Sequence, residues 1–359
     1  MENNFSALIA PLRSSFLGGL FEQLKTIYLV GGALRDFLLG LPVTDYDFVV
    51  PYSEVDLIAS YLGTNRIKYF FLSKGRIRLL RAINDGIEYD FMPIDAPIEK
   101  DMNRRDFTIN SIYYDLKDNA HYMHYNALND IENRILRAIS SSSIEDDPVR
   151  VLRAIRFASC VGFSVEHDTA LFIRDAVKLV PSVKKERARE EIKKIFKCDF
   201  GKTTAVLGRL FNIQTNEIIE KFNVFAQCPI LQSQVNEGVS YASLGYVSLI
   251  EKQLPIFAFA FEGNERRIIK GILEERKDLS FEELFKCFLT TDAKVLITSI
   301  FVSSPHDVGI RLCTVLTRWS GIKIKGSEIK RAAYEFGIPL REARIELLRE
   351  QCKKIYDEV

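Results

Sequence analysis

The spacing of apolar residues changes part-way along the chain. Up to about residue 139, short apolar runs alternate with turn residues. Beyond it, apolar positions recur at helical intervals. Phe16, Leu20 and Leu24, four apart, predict a lead-in helix over residues 1–25. Tyr28-Leu29-Val30 is a short apolar run that stops at Gly31-Gly32, and Leu34, Phe37 and Leu38 then lie at helix spacing over 33–39. Gly40 and Pro42 end that helix, and Asp45-Tyr46-Asp47 leads into the run Phe48-Val49-Val50. A helix is predicted at 55–62, strands at 68–72 and 77–82 around Lys74-Gly75, a strand at 87–91 and a β-rich run at 107–114. Residues 140–143, four serines, read as a linker. Helices follow at 184–197, 203–225, 248–261, 265–276, 281–289, 292–302 and 306–317, and two more near the C-terminus are broken at Gly337-Ile338-Pro339.

The stretch YLVGGALRDFLLGLPVTDYDFVV, residues 28–50, carries the candidate chemistry. Side chains alternate along a strand, so Asp45 and Asp47 point to the same side. Two carboxylates there repel each other, and a shared Mg²⁺ removes that cost, because hard divalent ions prefer carboxylate oxygens. A Gly-Gly turn lets a phosphate approach the backbone ahead of a helix start. A DxD alone is commonplace, as is a GG turn. Their union in one strand–turn–helix–strand unit points to phosphoryl or nucleotidyl transfer.

Two further clusters stand out. In DMNRRDFTINSIYYD, Arg104 and Arg105 adjoin Asp106. This is either a charged turn before a strand or a pair of phosphate-binding forks beside a carboxylate that takes a sugar hydroxyl. In IEDDPVRVLRAIRFA, Asp147 and Pro148 suit a helix start, and Arg150, Arg153 and Arg156 follow at three-residue steps. From spacing alone those arginines equally suit a solvated basic face.

Composition changes this picture little. The 359 residues are 47% hydrophobic and 27% charged, an ordinary globular balance long enough for more than one domain. The net charge of +1 means that nucleic-acid binding must come from local basic faces, such as Lys323, Lys325, Lys330 and Arg331 near the C-terminus. The six cysteines form no CxxC pair, so reduced thiols in a cytoplasmic protein are expected. No signal peptide and no membrane-length apolar run is visible.

LVGGALRD with DYD, then RRDFTIN, DDPVRVLRAIRFA and ERAREE, in this order and at about this spacing, resembles the class II tRNA nucleotidyltransferase and bacterial poly(A) polymerase family. The resemblance covers roughly residues 27–197. It implies an α+β fold: a small polymerase β-like nucleotidyltransferase head with a mixed sheet, then an all-α neck, body and tail. On the motif positions these parts fall at 1–139, 140–200, 201–295 and 296–359. The implied activity is template-independent transfer of CMP, and of AMP in some members, from CTP or ATP to the tRNA 3′-OH, with release of pyrophosphate.

The same resemblance implies that Asp45 and Asp47 are the catalytic, Mg²⁺-binding carboxylates. Gly31, Gly32 and Arg35 would meet the incoming nucleotide, and Arg104, Arg105 and Asp106 its triphosphate and ribose. Asp147 and Arg150 would read the base, with Arg153 and Arg156 completing the pocket. Asp90 stands as a candidate third acidic group. The base-reading assignment has a physical basis. Cytosine and adenine both offer an amino donor beside a ring-nitrogen acceptor, which a carboxylate and an arginine match, and uracil and guanine reverse that order.

Only a short stretch separates IEYDF from DMNRRD, where members that complete CCA carry a longer loop. CC addition is therefore expected, with a separate A-adding enzyme acting on the same tRNA. The segment YNALNDIENRILRAI lacks the glycines usual in the family before Asp130. The alternatives are an A-adding enzyme or poly(A) polymerase and, in a different class, a catalytically silent RNA-binding protein of the same fold.

Overall fold

The computed structural model describes residues 5–74, 77–227, 229–236, 238–273, 280–292, 294–296, 298–299 and 306–359. The chain forms two compact units: Met1–Arg150 with Val161–Ala176, and Val151–Cys160 with Val177–Val359.

The first unit is built on a mixed sheet. Its strands are β1 (Tyr28–Val30), β2 (Asp45–Pro51), β3 (Lys68–Lys74), β4 (Ile77–Asn84), β5 (Ile87–Ile94), β6 (Ile112–Asp115) and β7 (His121–Met123), in the order β3-β4-β5-β2-β1-β6-β7. The pair β2–β5 is parallel, and the other pairs in this sheet are antiparallel. On one face, Phe48 stacks on Phe91 at 5.1 Å and Tyr46 on Tyr89 at 5.6 Å. That face packs on α1 (Ser6–Ser14) and α2 (Leu17–Gln23): Phe21 reaches Phe48, and Phe5 meets Tyr114 edge-on. The expected single lead-in helix is thus two helices, because Ser15 is extended and its hydroxyl accepts from the Leu17 N–H.

Helix α3 (Gly32–Leu38) follows the Gly-Gly turn, and α4 (Val55–Thr64) follows β2. On the other face of the sheet, Val30, Val49 and Tyr113 form a small core, with Ile98 and Met102 of α5 (Ile98–Asn103) packed against it. The run 107–114 divides into a 3-10 turn at Thr108–Asn110 and strand β6. The Asn110 side chain donates to Asp106 there, and a local side-chain bond of this kind competes with strand pairing.

Helix α6 (Ala127–Glu132) carries the fully buried Asp130, which accepts from the Thr108 hydroxyl and from Arg137. Asp130 therefore anchors the RRDFTIN segment even without the preceding glycines. Residues 140–143 are not a linker: α7 (Ser141–Glu145) begins there, with Ser140 as its N-cap and Ser143 returning the bond. Helix α8 (Val149–Arg156) starts two residues after Asp147, whose carbonyl accepts from the Arg150 N–H. A two-stranded parallel pair, β8 (Ile135–Leu136) and β9 (Ser164–Val165), and α9 (His167–Ala176) complete the unit.

The second unit is mainly helical. It holds the later part of α8, all but the last residue of a π-helical turn at Phe157–Val161, α10 (Lys185–Ile195) and α11 (Phe200–Phe211). Asn212, at φ 55°, separates α11 from α12 (Asn216–Gln227), where one long segment was expected. A short hairpin, β10 (Gln234–Asn236) and β11 (Val239–Ser240), interrupts the region expected to be all helix. The helix expected at 248–261 lies earlier, as α13 (Tyr241–Glu251). Then come α14 (Gly263–Leu273), α15 (Phe281–Thr290), α16 (His306–Ser320), α17 (Gly326–Phe336) and α18 (Leu340–Glu358). Much of the segment expected as a helix at 292–302 lies outside the described residues.

Buried Trp319 donates to the Cys352 carbonyl and meets Phe281 and Phe285 edge-on, tying α15, α16 and α18 together. Gly337, at φ 64°, ends α17 as the sequence predicts. Cys160 and Cys198 are joined as a disulfide, against the expectation of reduced thiols. Cys287 and Cys352 are free thiols, and Cys228 and the Cys313 side chain lie outside the described residues.

Candidate active site

Asp45 and Asp47 stand exposed on one side of β2, before that strand dives into the core at Phe48. Sheet register extends the site sideways. Across the sheet, Arg81, Asp90, Asp47, Val30 and Tyr113 are successive neighbours, and neighbours in register share a face. One step along, Asp45 pairs with Glu88. The acidic pair is thus flanked by the Arg81–Asp90 pair on one side and by Tyr113 on the other.

Tyr113 is fully buried and organises the RRD segment. Its hydroxyl donates to Asp101 and accepts from Arg105 Nε at 2.5 Å. Arg105 Nη2 also reaches Asp101 at 3.1 Å, and Arg104 Nε reaches its other oxygen at 2.6 Å. Burial would raise the Asp101 pKa, but Arg105, the Tyr113 hydroxyl and Arg104 outweigh it and hold the carboxyl below its usual range. Burial pushes the Tyr113 phenol well up, so it stays neutral.

The guanidinium so held lies against the glycine turn. A Cβ on Gly31 would sit 2.9 Å from Arg105 Nη1, and Gly31 has φ 70° and ψ −116°, a region L-residues avoid. Arg35 is buried. It is held by Asp36 through Nε and Nη2, both at 2.8 Å, and by Asn110 Oδ1 through Nη1 at 2.5 Å. Asn110 in turn donates to Asp106 Oδ1 at 2.9 Å, which also accepts the Phe107 N–H. A chain of contacts therefore runs from Asp106 through Asn110 to Arg35 beneath Gly32. Sequence reasoning singled out its ends and missed Asn110 and Tyr113. The signal for both is their place in FTINSIYY, immediately after the arginines.

Arg150 is drawn to the same segment. Its guanidinium donates to the carbonyls of Ser143 at 2.5 Å, Arg104 at 2.7 Å and Arg105 at 3.3 Å. Asp147, Arg150, Arg104, Arg105 and Asp106 thus lie in the first unit with the acidic pair. Arg153 and Arg156 belong to the second, where buried Glu191 of α10 takes Arg156 Nε at 2.8 Å and Arg153 Nη1 at 3.6 Å. Burial opposes ionisation of Glu191, but Arg156, Arg153 and Lys194 overcome it and lower its pKa. Helix α10 is therefore more than the surface helix its charge pattern predicts, and Glu190 pairs with Lys193 rather than the expected Lys194.

The donor set fits a hard divalent cation: two exposed carboxylates on one strand face, close to a second acidic strand. Asp90, the candidate third carboxylate, has both oxygens on Arg81 at 2.7 Å. Among the described residues, no three His, Cys, Asp or Glu side chains form a ready-made metal cage.

The whole chain superposes on solved structures. The Thermotoga maritima CCA-adding enzyme complexed with tRNA matches at TM-score 0.67, with 20% identity, over 99% of this chain and 96% of that one. A CCA-adding enzyme with CTP matches at 0.68, with 19% identity, over 100% and 96%. The fold is that of the CCA-adding enzymes. Sequence relatives agree over part of the length. The CC-adding tRNA nucleotidyltransferase of Synechocystis is 32% identical over 166 residues, 45% of this chain and 40% of that protein. The multifunctional CCA protein of Tolumonas auensis is 38% identical over 184 residues, 47% and 44%.

The chain thus matches less than half the length of these curated relatives. Two family models also match: Gabija anti-defense 2 family protein over residues 2–134, and the probable RNA and SrmB-binding site of polymerase A over residues 162–207. No described helix is long and apolar enough to cross a membrane.

Proposed function

We propose that this chain is a template-independent tRNA nucleotidyltransferase that adds CMP from CTP to the 3′ end of tRNA, stopping at CC. The observation that carries the transferase reading is the face shared by the Asp45–Asp47 pair and Tyr113, whose hydroxyl pins Arg105 against a glycine turn. The shared fold of enzymes solved with tRNA and CTP supports it.

Asp45 and Asp47 would hold Mg²⁺, which when bound activates the attacking 3′-OH and stabilises the leaving pyrophosphate. Arg105, preset by Tyr113 and Asp101, meets the triphosphate at the Gly31–Gly32 turn, and Arg35 and Asn110 keep that turn in shape. Asp106 serves the ribose, and Arg104, half exposed, adds charge at the triphosphate. Asp147 and Arg150 read the base, with Arg153 and Arg156 contributing from the arginine row. The head at 1–139, neck at 140–200, body at 201–295 and tail at 296–359 divide this work, and exposed Lys323, Lys325, Lys330 and Arg331 of the tail face RNA phosphates. Such a protein works where its tRNA is, in the cytoplasm. The stop at CC rests on the connection from β5 to α5, which is only Asp95-Ala96-Pro97. A separate A-adding enzyme then finishes the tRNA.

The test is product length at single-nucleotide resolution, with tRNA lacking its 3′ end, Mg²⁺, and CTP, ATP or both. Two added nucleotides from CTP and no third with both is the expected result. A third with both means full CCA addition and refutes the short-connection argument, and a long A ladder from ATP alone means a poly(A) polymerase. Asp47→Asn should lose at least a thousandfold in incorporation while still binding tRNA. A second reading rests on the anti-defence model matching residues 2–134: the same head used outside tRNA maturation. It predicts no incorporation by the wild-type chain.

A further inference from the structure

Four carboxylates line two adjacent strands of the sheet. Asp45 is beside Glu88 and Asp47 beside Asp90, all four on the face that carries the proposed metal-binding pair. A guanidinium enters this row from β4. Arg81, opposite Asp90 on β4, puts Nε and Nη2 on the two Asp90 oxygens at 2.7 Å each and Nη1 on Glu88 at 2.6 Å. A bidentate fork of this kind is the strongest form of arginine–carboxylate pairing, and it occupies the lone pairs a cation would use. The pair is shielded, with Asp90 14% and Arg81 27% exposed. The hydrogen bonds to Asp90, with the attraction of Glu88 and Asp47, outweigh burial and raise the Arg81 pKa, so its charge is permanent and is felt at Asp47. By contrast, Asp45 and Asp47 are exposed.

We propose that Arg81 is a positioning residue that withholds Asp90 from the metal and limits the proposed Mg²⁺ site to Asp45 and Asp47. Resting on the metal role proposed above, this defines a second function for the β4–β5 hairpin: tuning cation affinity. Without the guanidinium, the carboxylates of β2 and β5 would set more negative charge around the proposed ion and hold it more tightly. With one cation built in, the affinity falls, and the metal can arrive and leave with the nucleotide's phosphates, as suits an ion that usually keeps water and substrate oxygens among its ligands. Asp90 also restrains Arg81, whose charge would otherwise be freer to approach Asp47 and compete with the metal.

The experiment titrates the full-length protein, without nucleotide, with Mn²⁺ followed by electron paramagnetic resonance. Circular dichroism checks the fold of each variant. Arg81→Gln should bind Mn²⁺ on the order of tenfold more tightly, since it removes a positive charge two strands from Asp47 and releases Asp90 from its guanidinium. The Arg81→Gln/Asp90→Asn double variant should return to within about twofold of wild type. Asp90→Asn alone should bind severalfold more weakly. An unchanged or weakened affinity in Arg81→Gln overturns the proposal, as does a double variant that keeps the gain. If Arg81→Gln does not fold, Asp90→Asn decides, and an affinity equal to or above wild type overturns it. Asp47→Asn separates the two levels of argument: it should abolish the Mn²⁺ binding seen in wild type. Binding that survives in Asp47→Asn refutes the metal site itself, whereas binding that is lost there but not tightened in Arg81→Gln refutes only the role of Arg81.

Discussion

Tyr113→Phe isolates the contact on which the triphosphate reading depends. The substitution removes one oxygen and keeps the ring, so the buried Val30–Val49–Tyr113 core opens no cavity. It deletes two hydrogen bonds to charged partners, one from Arg105 Nε at 2.5 Å and one to Asp101. Bonds to charged groups contribute about 1.5–3 kcal/mol each when removed singly. Both partners keep others: Arg105 Nη2 stays on Asp101 at 3.1 Å, and Arg104 still holds Asp101. The expected loss of stability is therefore about 2 kcal/mol rather than the full sum, read as a lower denaturant midpoint with unchanged slope.

The functional effect has a different source. Without its Nε anchor, the Arg105 side chain regains rotamers, and up to about 1.5–2 kcal/mol must be spent to order it again. A cost of about 1.4 kcal/mol is tenfold in binding. KM for CTP should therefore rise roughly tenfold, with kcat within about threefold of wild type. Steady-state kinetics on tRNA lacking its 3′ end measures both. Arg105→Met supplies the control: adding Tyr113→Phe to it should raise KM no further, because the two changes act through one contact. A fall in kcat at constant KM, or additive effects in the double variant, would refute the reasoning.

Two other changes probe the surroundings. Gly31→Ala forces a side chain into φ 70° and ψ −116° and sets its Cβ 2.9 Å from Arg105 Nη1. It should cost about 2–3 kcal/mol in chemical denaturation and raise KM for CTP. Glu191→Gln leaves Arg153 and Arg156 without their shared carboxylate and should lower stability by about 2–3 kcal/mol at neutral pH. The sign of its pH dependence follows from the lowered Glu191 pKa. The contribution is complete above the ordinary glutamate value of about 4.3 and is lost as pH falls through the lower folded value. The gap in melting temperature between wild type and variant should hold from pH 6 to 8 and close below about pH 4.

Local physics made some features legible from the chain alone. Alternation along a strand put Asp45 and Asp47 on one side, and the Gly31-Gly32 break before a helical pattern located the turn. Gly337 closed its helix where expected, since few other residues accept φ 64°. The serines at 140–143 show the limit of composition as a guide: a loop and a capped helix start draw on the same residues, and the Ser140–Ser143 reciprocal bonds decide between them. What the strands do to one another is not local. Parallel pairing of β2 with β5 sets Asp90 beside Asp47, and antiparallel pairing brings Arg81 onto Asp90 across a tight hairpin. The β1–β6 register carries Tyr113 to the acidic face, and through it Arg105 to the glycine turn. The chain itself determined which residues can do chemistry, because residue type and period fix what each can donate and which side it faces. Only the tertiary structure decided which charges meet and which share a face of the sheet, because that depends on strand order and register between segments far apart in sequence.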